Sequence, residues 1–310
     1  MKAIKIILVI AVVAVIGFFV WKWLVEIDML RTVPPPSTNP FTARIEREID
    51  SLIRFPSNVF SPKFYQDIQY RIDDYHKQGF LGNSQSDNNQ WKEILSKNLY
   101  AAYASKFVEQ AMYVFTGSEW NITDLNFIRS EVRTLQNSTY LGPGSPVATS
   151  FTNMLTVLAK YDEITNFIAS CRGFSYTSSG LSDSFPIANV QGKLSQAKTY
   201  QINRLENEYV NNCTRLQDGL KDIPAALFSA HVRYLDDKIS QWSGLYCNGI
   251  YISHADYVNN LNRPLRDEID ALEDNTYGVS NSNSEHRRLL DRWSADNQDA
   301  FVFFSRRTTN

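Results

Sequence analysis

The sequence predicts an all-α protein, with a transmembrane helix near the amino terminus followed by an elongated array of antiparallel helical bundles. Three observations predict this class. A long apolar run occupies residues 6–25, apolar residues recur with a helical period through the rest of the chain, and helix start and stop signals separate the periodic stretches. No period of 20–50 residues repeats, so the pattern does not predict a regular solenoid.

Residues 6–25 form a run that is long enough to cross a bilayer. About 20 residues at 1.5 Å per residue span roughly 30 Å, the thickness of the hydrocarbon core. A secretory signal has a shorter apolar region and a small-residue cleavage site, whereas Gly17, the last small residue here, is followed by bulky residues. Trp21 and Trp23 suit the interfacial aromatic belt. We therefore predict a retained single-pass anchor, with residues 1–5 in the cytoplasm because this short segment is basic.

Residues 26–42 are predicted to be a linker, because they contain the sequence VPPPSTNP at 33–40. Consecutive prolines fix φ and favour a polyproline II helix, which rises about 3.1 Å per residue. These eight residues then extend roughly 25 Å, by the same rise. The linker separates the anchor from residues 43–310, which we predict to be an all-α region outside the cytoplasm, made of one or two helical bundles.

The predicted helices of this region follow one another with clear punctuation. In the clearest one, Ser61 is the N-cap, Pro62 is the first helical residue and Gly79 is the terminator. Pro224 begins or kinks a later helix, and Pro264 kinks or divides another. The apolar seams cover residues 45–53, 64–75, 95–114, 125–135, 151–171, 202–223, 228–242, 257–272 and 290–304. The seam at 202–223 predicts one continuous helix that begins near residue 186 and has coiled-coil-like spacing.

Residues 245–252 are the exception to the helical period. Asn248-Gly249 lies between short apolar flanks, which is typical of a type I′ hairpin. Two arms of about three residues cannot found a sheet. We therefore predict a small β-hairpin at 245–252 that docks on helices.

The composition narrows the range of partners. The 31 basic and 33 acidic residues are well mixed, so no basic stripe predicts binding to nucleic acid. The aromatic content is high, and in a helical protein most aromatic residues thicken the seams between helices, while an exposed subset could bind glycan or peptide. The asparagine-rich, alanine-poor composition indicates an AT-rich bacterial genome, so we expect a bacterial cell envelope.

No residue pattern predicts catalysis, a cofactor or a metal. The nearest acidic residues that follow His231 and His254 lie five and two positions away, not at the three or four that a helical metal site needs, and we interpret all four histidines, at positions 76, 231, 254 and 286, as surface or helix-flank residues. The acidic clusters at 73–76 and 266–274 lack calcium-loop spacing and are interpreted as solvated helix faces. A site assembled from distant helices would leave no such pattern.

The three cysteines predict one disulfide. The odd count leaves at least one thiol unpaired, and an antiparallel path that turns at Pro224 brings Cys247 back toward Cys171. We predict the pair Cys171–Cys247, with Cys213 as a buried thiol in its seam. If Pro224 only kinks one continuous helix, the chain does not return and the pair does not form.

The leading functional hypothesis is a membrane-tethered, non-enzymatic protein that scaffolds or senses at the cell envelope. We expect it in the inner membrane, with its amino terminus cytoplasmic and its body periplasmic or extracellular. Its expected partners are the lipid bilayer, through residues 6–25, and other envelope proteins. Two alternatives remain open, which are a glycan- or peptide-binding protein with an aromatic cleft and a hydrolase with dispersed catalytic residues.

Overall fold

The structure, a computed structural model, is all-α in the part of the chain that it describes, which confirms the predicted fold class. The described residues are 39–54, 62–177, 183–202, 209, 212–247, 255, 257–272, 277–279 and 282–307, and none of them forms a strand. The chain divides into two compact units, Met1–Ala159 (unit 1) and Lys160–Asn310 (unit 2).

Ten α-helices and one π-helical segment are defined within the described ranges. They are α1 (Pro40–Arg54), α2 (Pro62–Lys77), α3 (Gln85–Thr116), α4 (Ile122–Gln136), α5 (Pro146–Arg172), α6 (Ile187–Ile202), α7 (Thr214–Lys221), α8 (Ile223–Cys247), the π-helical segment Tyr257–Asn262, α9 (Arg263–Asp270) and α10 (Ser282–Arg307). Of these, α5 contains the division between the two units.

No helix within the described ranges is both long and apolar enough to cross a membrane. The predicted anchor at residues 6–25 lies outside the described residues. Helix α1 begins at Pro40, inside the range 26–42 that the sequence predicts as linker.

Unit 1 has a core formed by α1, α2 and α3. Its apolar side chains come from the predicted seams, except for Leu81 in the turn between α2 and α3, and their close packing accounts for the regular helical period here. Tyr65, Tyr75 and Trp91 pack against its edge. The buried members are Ile45, Ile49, Leu52, Ile68, Ile72, Leu81, Leu95, Leu99 and Ala102.

The predicted punctuation of α2 is confirmed at Pro62 and Gly79, whereas Ser61, the predicted N-cap, lies outside the described residues. Pro62 is the first helical residue, and Gly79 follows the helix with a φ of +72°, a left-handed conformation that glycine adopts at little cost. The turn after Gly79 is held by the buried side chain of Asn88, which accepts a hydrogen bond from Leu81 N (3.0 Å) and donates one to His76 O (2.8 Å). One amide therefore binds a carbonyl near the end of α2 and an N–H of the turn that follows it.

Replacing Gly82 by alanine should destabilise unit 1. A Cβ at this position would lie 2.5 Å from Asn88 N and 2.6 Å from the carbonyl carbon of Asp87, so the backbone of α3 would have to move. We expect a loss of about 1–3 kcal/mol, the usual cost of overpacking, measured by urea denaturation. The matched control is Gly192→Ala in α6, where a Cβ meets nothing within 4 Å and the better helix former should add about 1 kcal/mol. An unchanged midpoint for Gly82→Ala would contradict the expectation.

The prediction of one continuous helix from near residue 186 to residue 223 is wrong. Cys213 has an extended backbone (φ −73°, ψ 103°) and precedes the separate helix α7. The apolar seam continues because Cys213, Leu216 and Leu220 are all buried, although the chain is not helical at Cys213. The pattern of buried side chains alone therefore does not show where the helix is interrupted.

The two prolines mark helix boundaries in unit 2. Pro224 is the second residue of α8, so it begins that helix. Pro264 is the second residue of α9, and the π-helical segment Tyr257–Asn262 ends immediately before this helix. The seam at 257–272 is thus divided near Pro264, as predicted, because proline cannot donate the hydrogen bond that a continuous α-helix requires.

The prediction of a β-hairpin is wrong for its first arm. Residues 245–247 form the end of α8, so this arm is helical, and residues 248–254 lie outside the described residues. The physical reason is cooperativity, since a short arm attached to a long helix extends the helix by one hydrogen bond per residue.

Candidate functional site

The candidate site is a buried polar cluster in unit 2, and its first three members lie on one face of α8. His231, Tyr234 and Lys238 are spaced by three and four residues, which places them above one another on the helix. Glu268 of α9 and Tyr277, which follows that helix, complete the group. We call these five residues the His231–Lys238 cluster.

Lys238 is the charged centre of this cluster, and its side chain is almost inaccessible to solvent. The residue is 5% exposed. Its Nζ donates hydrogen bonds to Tyr234 Oη (2.6 Å) and to the carbonyl oxygen of Asp183, and it lies 3.5 Å from Glu268 Oε2. A buried ammonium is stable only where such oxygens replace water.

The same groups form hydrogen bonds with the segment that precedes α6. Tyr234 Oη donates to the carbonyl oxygen of Asp183 (2.7 Å), and Phe185 N donates to Glu268 Oε1 (2.9 Å). Because Lys238 also binds the Asp183 carbonyl, two backbone groups of residues 183–185 are tied to α8 and α9. The cluster therefore joins three separate segments of unit 2.

His231 lies in the apolar part of the cluster. The residue is 1% exposed, its ring stacks on Phe185 at a centroid distance of 4.1 Å and an interplanar angle of 2°, and its Nδ1 is hydrogen bonded to Tyr277 Oη at 3.0 Å. The second ring nitrogen, Nε2, is buried and has no hydrogen-bond partner within the described ranges. The imidazole is thus bound through one nitrogen and packed as an aromatic ring.

Burial shifts the pKa values of His231, Tyr234 and Tyr277 away from neutral pH. It lowers the pKa of His231 to about 3, because a charged imidazolium would lose its hydration there. Burial also raises the pKa of Tyr277, and for Tyr234 burial and then the Glu268 carboxylate raise the pKa. A general base works best with a pKa near the working pH, so His231 is poorly suited to take a proton in this state.

A charged group on the surface of α8 connects this helix to α10. Asp236 binds Arg288 (2.7 Å) and Arg292 (2.6 Å), and Arg292 also donates to Ser240 Oγ. Burial raises the pKa of Asp236, but the hydrogen bonds and charges of the two guanidinium groups outweigh it, so the pKa lies below its usual value. This network holds α10 against α8.

The interpretation of the histidines as surface or flank residues is wrong for two of them. His231 and His286 are buried, because partners from distant segments surround them, Tyr277 for the first and Asp270 for the second. His76 is partly exposed and bound to Asn89 Oδ1, and the fourth histidine lies outside the described residues. No group of three or more His, Cys, Asp or Glu side chains within the described ranges could hold a metal ion.

The two acidic clusters form ion pairs with their neighbours. In the first, Asp73 lies 2.9 Å from the Lys92 ammonium. In the second, Asp270 pairs with Arg266 at 2.8 Å, while Glu268 turns inward to Lys238. The second cluster thus contributes a side chain to the interior as well as to the solvated face.

The predicted disulfide Cys171–Cys247 is not tested directly, because the side chain of Cys247 lies outside the described residues. Cys171 and Cys213 are both buried. Arg172 binds Asp222, directly before α8, at 2.8 Å, whereas Cys247 is the last residue of this 25-residue helix, which is about 37 Å long. This separation argues against the bridge, and peptide mapping without reduction would decide the matter.

Sequence reasoning missed the cluster although one signal was present. No acidic residue lies three or four positions from His231; instead, Tyr234 lies three positions after it, and Lys238 lies four positions after Tyr234. A lysine and a tyrosine on the otherwise apolar face of a helix indicate a buried polar group. Glu268 and Tyr277 carry no comparable signal, because they reach the cluster only through the fold.

Comparison of the chain with protein-family models, curated proteins and solved structures found no match. The function is therefore argued from the sequence and the geometry.

Proposed function

We propose that the protein is a membrane-tethered, non-enzymatic interaction protein, one that scaffolds or senses at a cell envelope with its helical body outside the cytoplasm. The predicted anchor at residues 6–25 supports the tether. The helical body supports the role because it begins soon after that anchor in the sequence, with α1 starting at Pro40. Thirteen residues, 26–38, separate the predicted anchor from the first described residue.

The proposal that the protein is not an enzyme is supported by the structural role of the reactive side chains in unit 2. Lys238 and Glu268 bind each other and the backbone of residues 183–185, and His231 stacks on Phe185. These groups hold segments together, and burial keeps the imidazole neutral at physiological pH. A helical body on a short tether is suited to presenting a surface to another envelope protein.

We expect the chain to keep residues 6–25 and to leave membranes only with detergent. The reason is the length of the apolar run and its lack of a small-residue cleavage site. The measurement is alkaline extraction of membranes together with amino-terminal sequencing of the mature protein. A mature protein that begins beyond Val25, or that is released by alkali alone, would contradict the anchor.

The interaction role is tested by cross-linking in intact cells, followed by capture in detergent. We compare the full chain with a matched control that keeps residues 1–38 and lacks the helical body. A specific envelope protein should be captured with the full chain and lost with the control. Equal capture by both would show that the body contributes nothing and would contradict the proposal.

A further inference from the structure

One end of unit 1 receives the chain from the predicted anchor. Asn39 caps α1 by accepting a hydrogen bond from Phe41 N (2.9 Å), and its Nδ2 donates to Phe80 O (2.8 Å). Thr42 Oγ1 donates to Leu81 O (3.0 Å). The point where the chain enters the fold is therefore fixed on the turn between α2 and α3.

Three aromatic rings lie together at this entry point, and we call them the aromatic end patch. Phe41 stacks on Phe80 with centroids 4.7 Å apart, and it meets Tyr75 edge-on at 5.1 Å. Phe41 and Phe80 remain 37% and 39% exposed. Two phenylalanines that pack against each other and still face solvent form a small apolar surface that no other described part of unit 1 covers.

The charges around the patch are mixed. Arg44 and Lys77 are exposed near it, and Asp74 and Asp87 lie at the same ends of α2 and α3. Neither sign dominates, so this end does not favour a strongly charged partner. Its distinguishing chemistry is aromatic.

The length of chain before α1 indicates what covers the patch. Even fully extended, the thirteen residues 26–38 span at most about 45 Å, so the tether keeps the patch close to the bilayer at high local concentration. Tyrosine is favoured where a bilayer meets water because its ring has an apolar body and a polar end, and phenylalanine lies on the apolar faces of helices that bind this interface. We propose that the aromatic end patch docks on the interfacial region of the membrane that the anchor crosses. This inference rests on the proposed function.

Docking through aromatic rings orients unit 1. The ends of α2 and α3 that carry the patch would face the lipid, and the opposite end of α3 would point away. Tyr113 lies near that opposite end, about 40 Å along α3 from its start, and is 78% exposed. It offers a matched exposed aromatic position that should not touch the membrane.

The experiment places the full chain in nanodiscs of zwitterionic lipid with brominated acyl chains, which quench nearby tryptophan fluorescence. The variants Phe80→Trp and Tyr113→Trp each add one tryptophan at an exposed aromatic position, and each is compared with the unaltered chain. We expect brominated lipid to abolish most of the fluorescence added by Phe80→Trp and to leave that added by Tyr113→Trp.

Each of the other outcomes contradicts one part of the proposal. If the chain enters the nanodisc and the fluorescence added by Phe80→Trp is not quenched, the docking is wrong and the anchor stands. Packing of the linker prolines on the patch would give this result. Equal quenching at both positions contradicts the assignment to this end. A chain that does not enter the nanodisc contradicts the proposed function, and this inference with it.

Discussion

Replacing Lys238 by methionine should lower the free energy of unfolding of unit 2 by about 3 kcal/mol, toward the lower end of the cost of breaking a buried ion pair. Methionine keeps the apolar stem and removes the ammonium. The Asp183 carbonyl and Tyr234 Oη then lose their shared donor, and Glu268 loses its counter-charge. Because Glu268 retains some solvent access and its bond from Phe185 N, the loss should not reach the upper end of that range.

The matched control for this substitution is Lys221→Met. Lys221 forms an ion pair with Asp218 at 3.3 Å, but both side chains are more than 60% exposed, so the change should cost less than about 0.5 kcal/mol. Urea denaturation of the full chain in detergent measures both variants, and hydrogen exchange of α8 amides assigns the transition to unit 2. Equal costs for the two lysines would contradict the structural role of the cluster.

Unit 2 should also lose stability between pH 7 and pH 5 because of His231. Burial lowers its pKa from 6.5 to about 3 in the folded chain, so in this window the unfolded chain binds a proton that the folded chain does not. The free energy of unfolding therefore falls as the pH falls below about 6.5, by up to about 1.4 kcal/mol per pH unit, and the contribution is lost completely near pH 3. Between pH 7 and pH 5 the expected loss is about 2 kcal/mol.

The variant that isolates this effect is His231→Phe combined with Tyr277→Phe. Phenylalanine keeps an aromatic ring against Phe185 and cannot titrate, and the second change removes the hydroxyl that would be left without its partner. Its stability should change by about 2 kcal/mol less than that of the unaltered chain over the same window. The control His76→Gln alters a partly exposed histidine and should retain the full loss. A double variant with the unaltered pH dependence would show that His231 is not the source.

The surface carboxylate of α8, Asp236, does not contribute to the loss of stability expected between pH 7 and pH 5. The pKa of Asp236 lies below its usual value once the guanidinium groups of Arg288 and Arg292 offset the effect of burial, so it titrates below this range. The difference between the two chains from pH 7 to pH 5 therefore reports on His231.

The helices of unit 1 could be predicted well because their signals are local. Pro62 and Gly79 act within one turn of their own positions, and Ile68 and Ile72 report burial through spacing alone. Residues 245–247 show the limit of such signals, because their short apolar pattern fits either a strand or the last turn of a helix. The preceding 22 residues of α8 decide between the two.

The break at Cys213 could not be predicted from apolar spacing. Its side chain is buried, as the seam predicts, while its backbone leaves the helical conformation. Nor is there a local breaker, because no proline or glycine stands at this position. A period of apolar residues describes which side chains face the core, and it does not require that the backbone between them be helical throughout.

The candidate site was predictable only in part. The spacing of His231, Tyr234 and Lys238 is visible in the sequence, whereas the carbonyl of Asp183 and the N–H of Phe185 are backbone groups that any residue would supply. Their positions depend on how unit 2 folds. Two of the hydrogen-bonding groups of the cluster therefore have no signature in residue type.

The bond from Phe185 N to Glu268 Oε1 joins residues 83 positions apart, whereas ties in unit 1 such as Arg71 to Glu48 join residues 23 apart. Closing a longer loop costs more chain entropy, and folding slows as contacts become less local. During synthesis, which adds about 5–20 residues per second, the segment before α6 must wait at least several seconds for Glu268 to be made. Until then the N–H of Phe185 lacks its acceptor, and Tyr277, the hydrogen-bond partner of His231, is made still later. During this interval the nascent chain is exposed to aggregation and proteolysis.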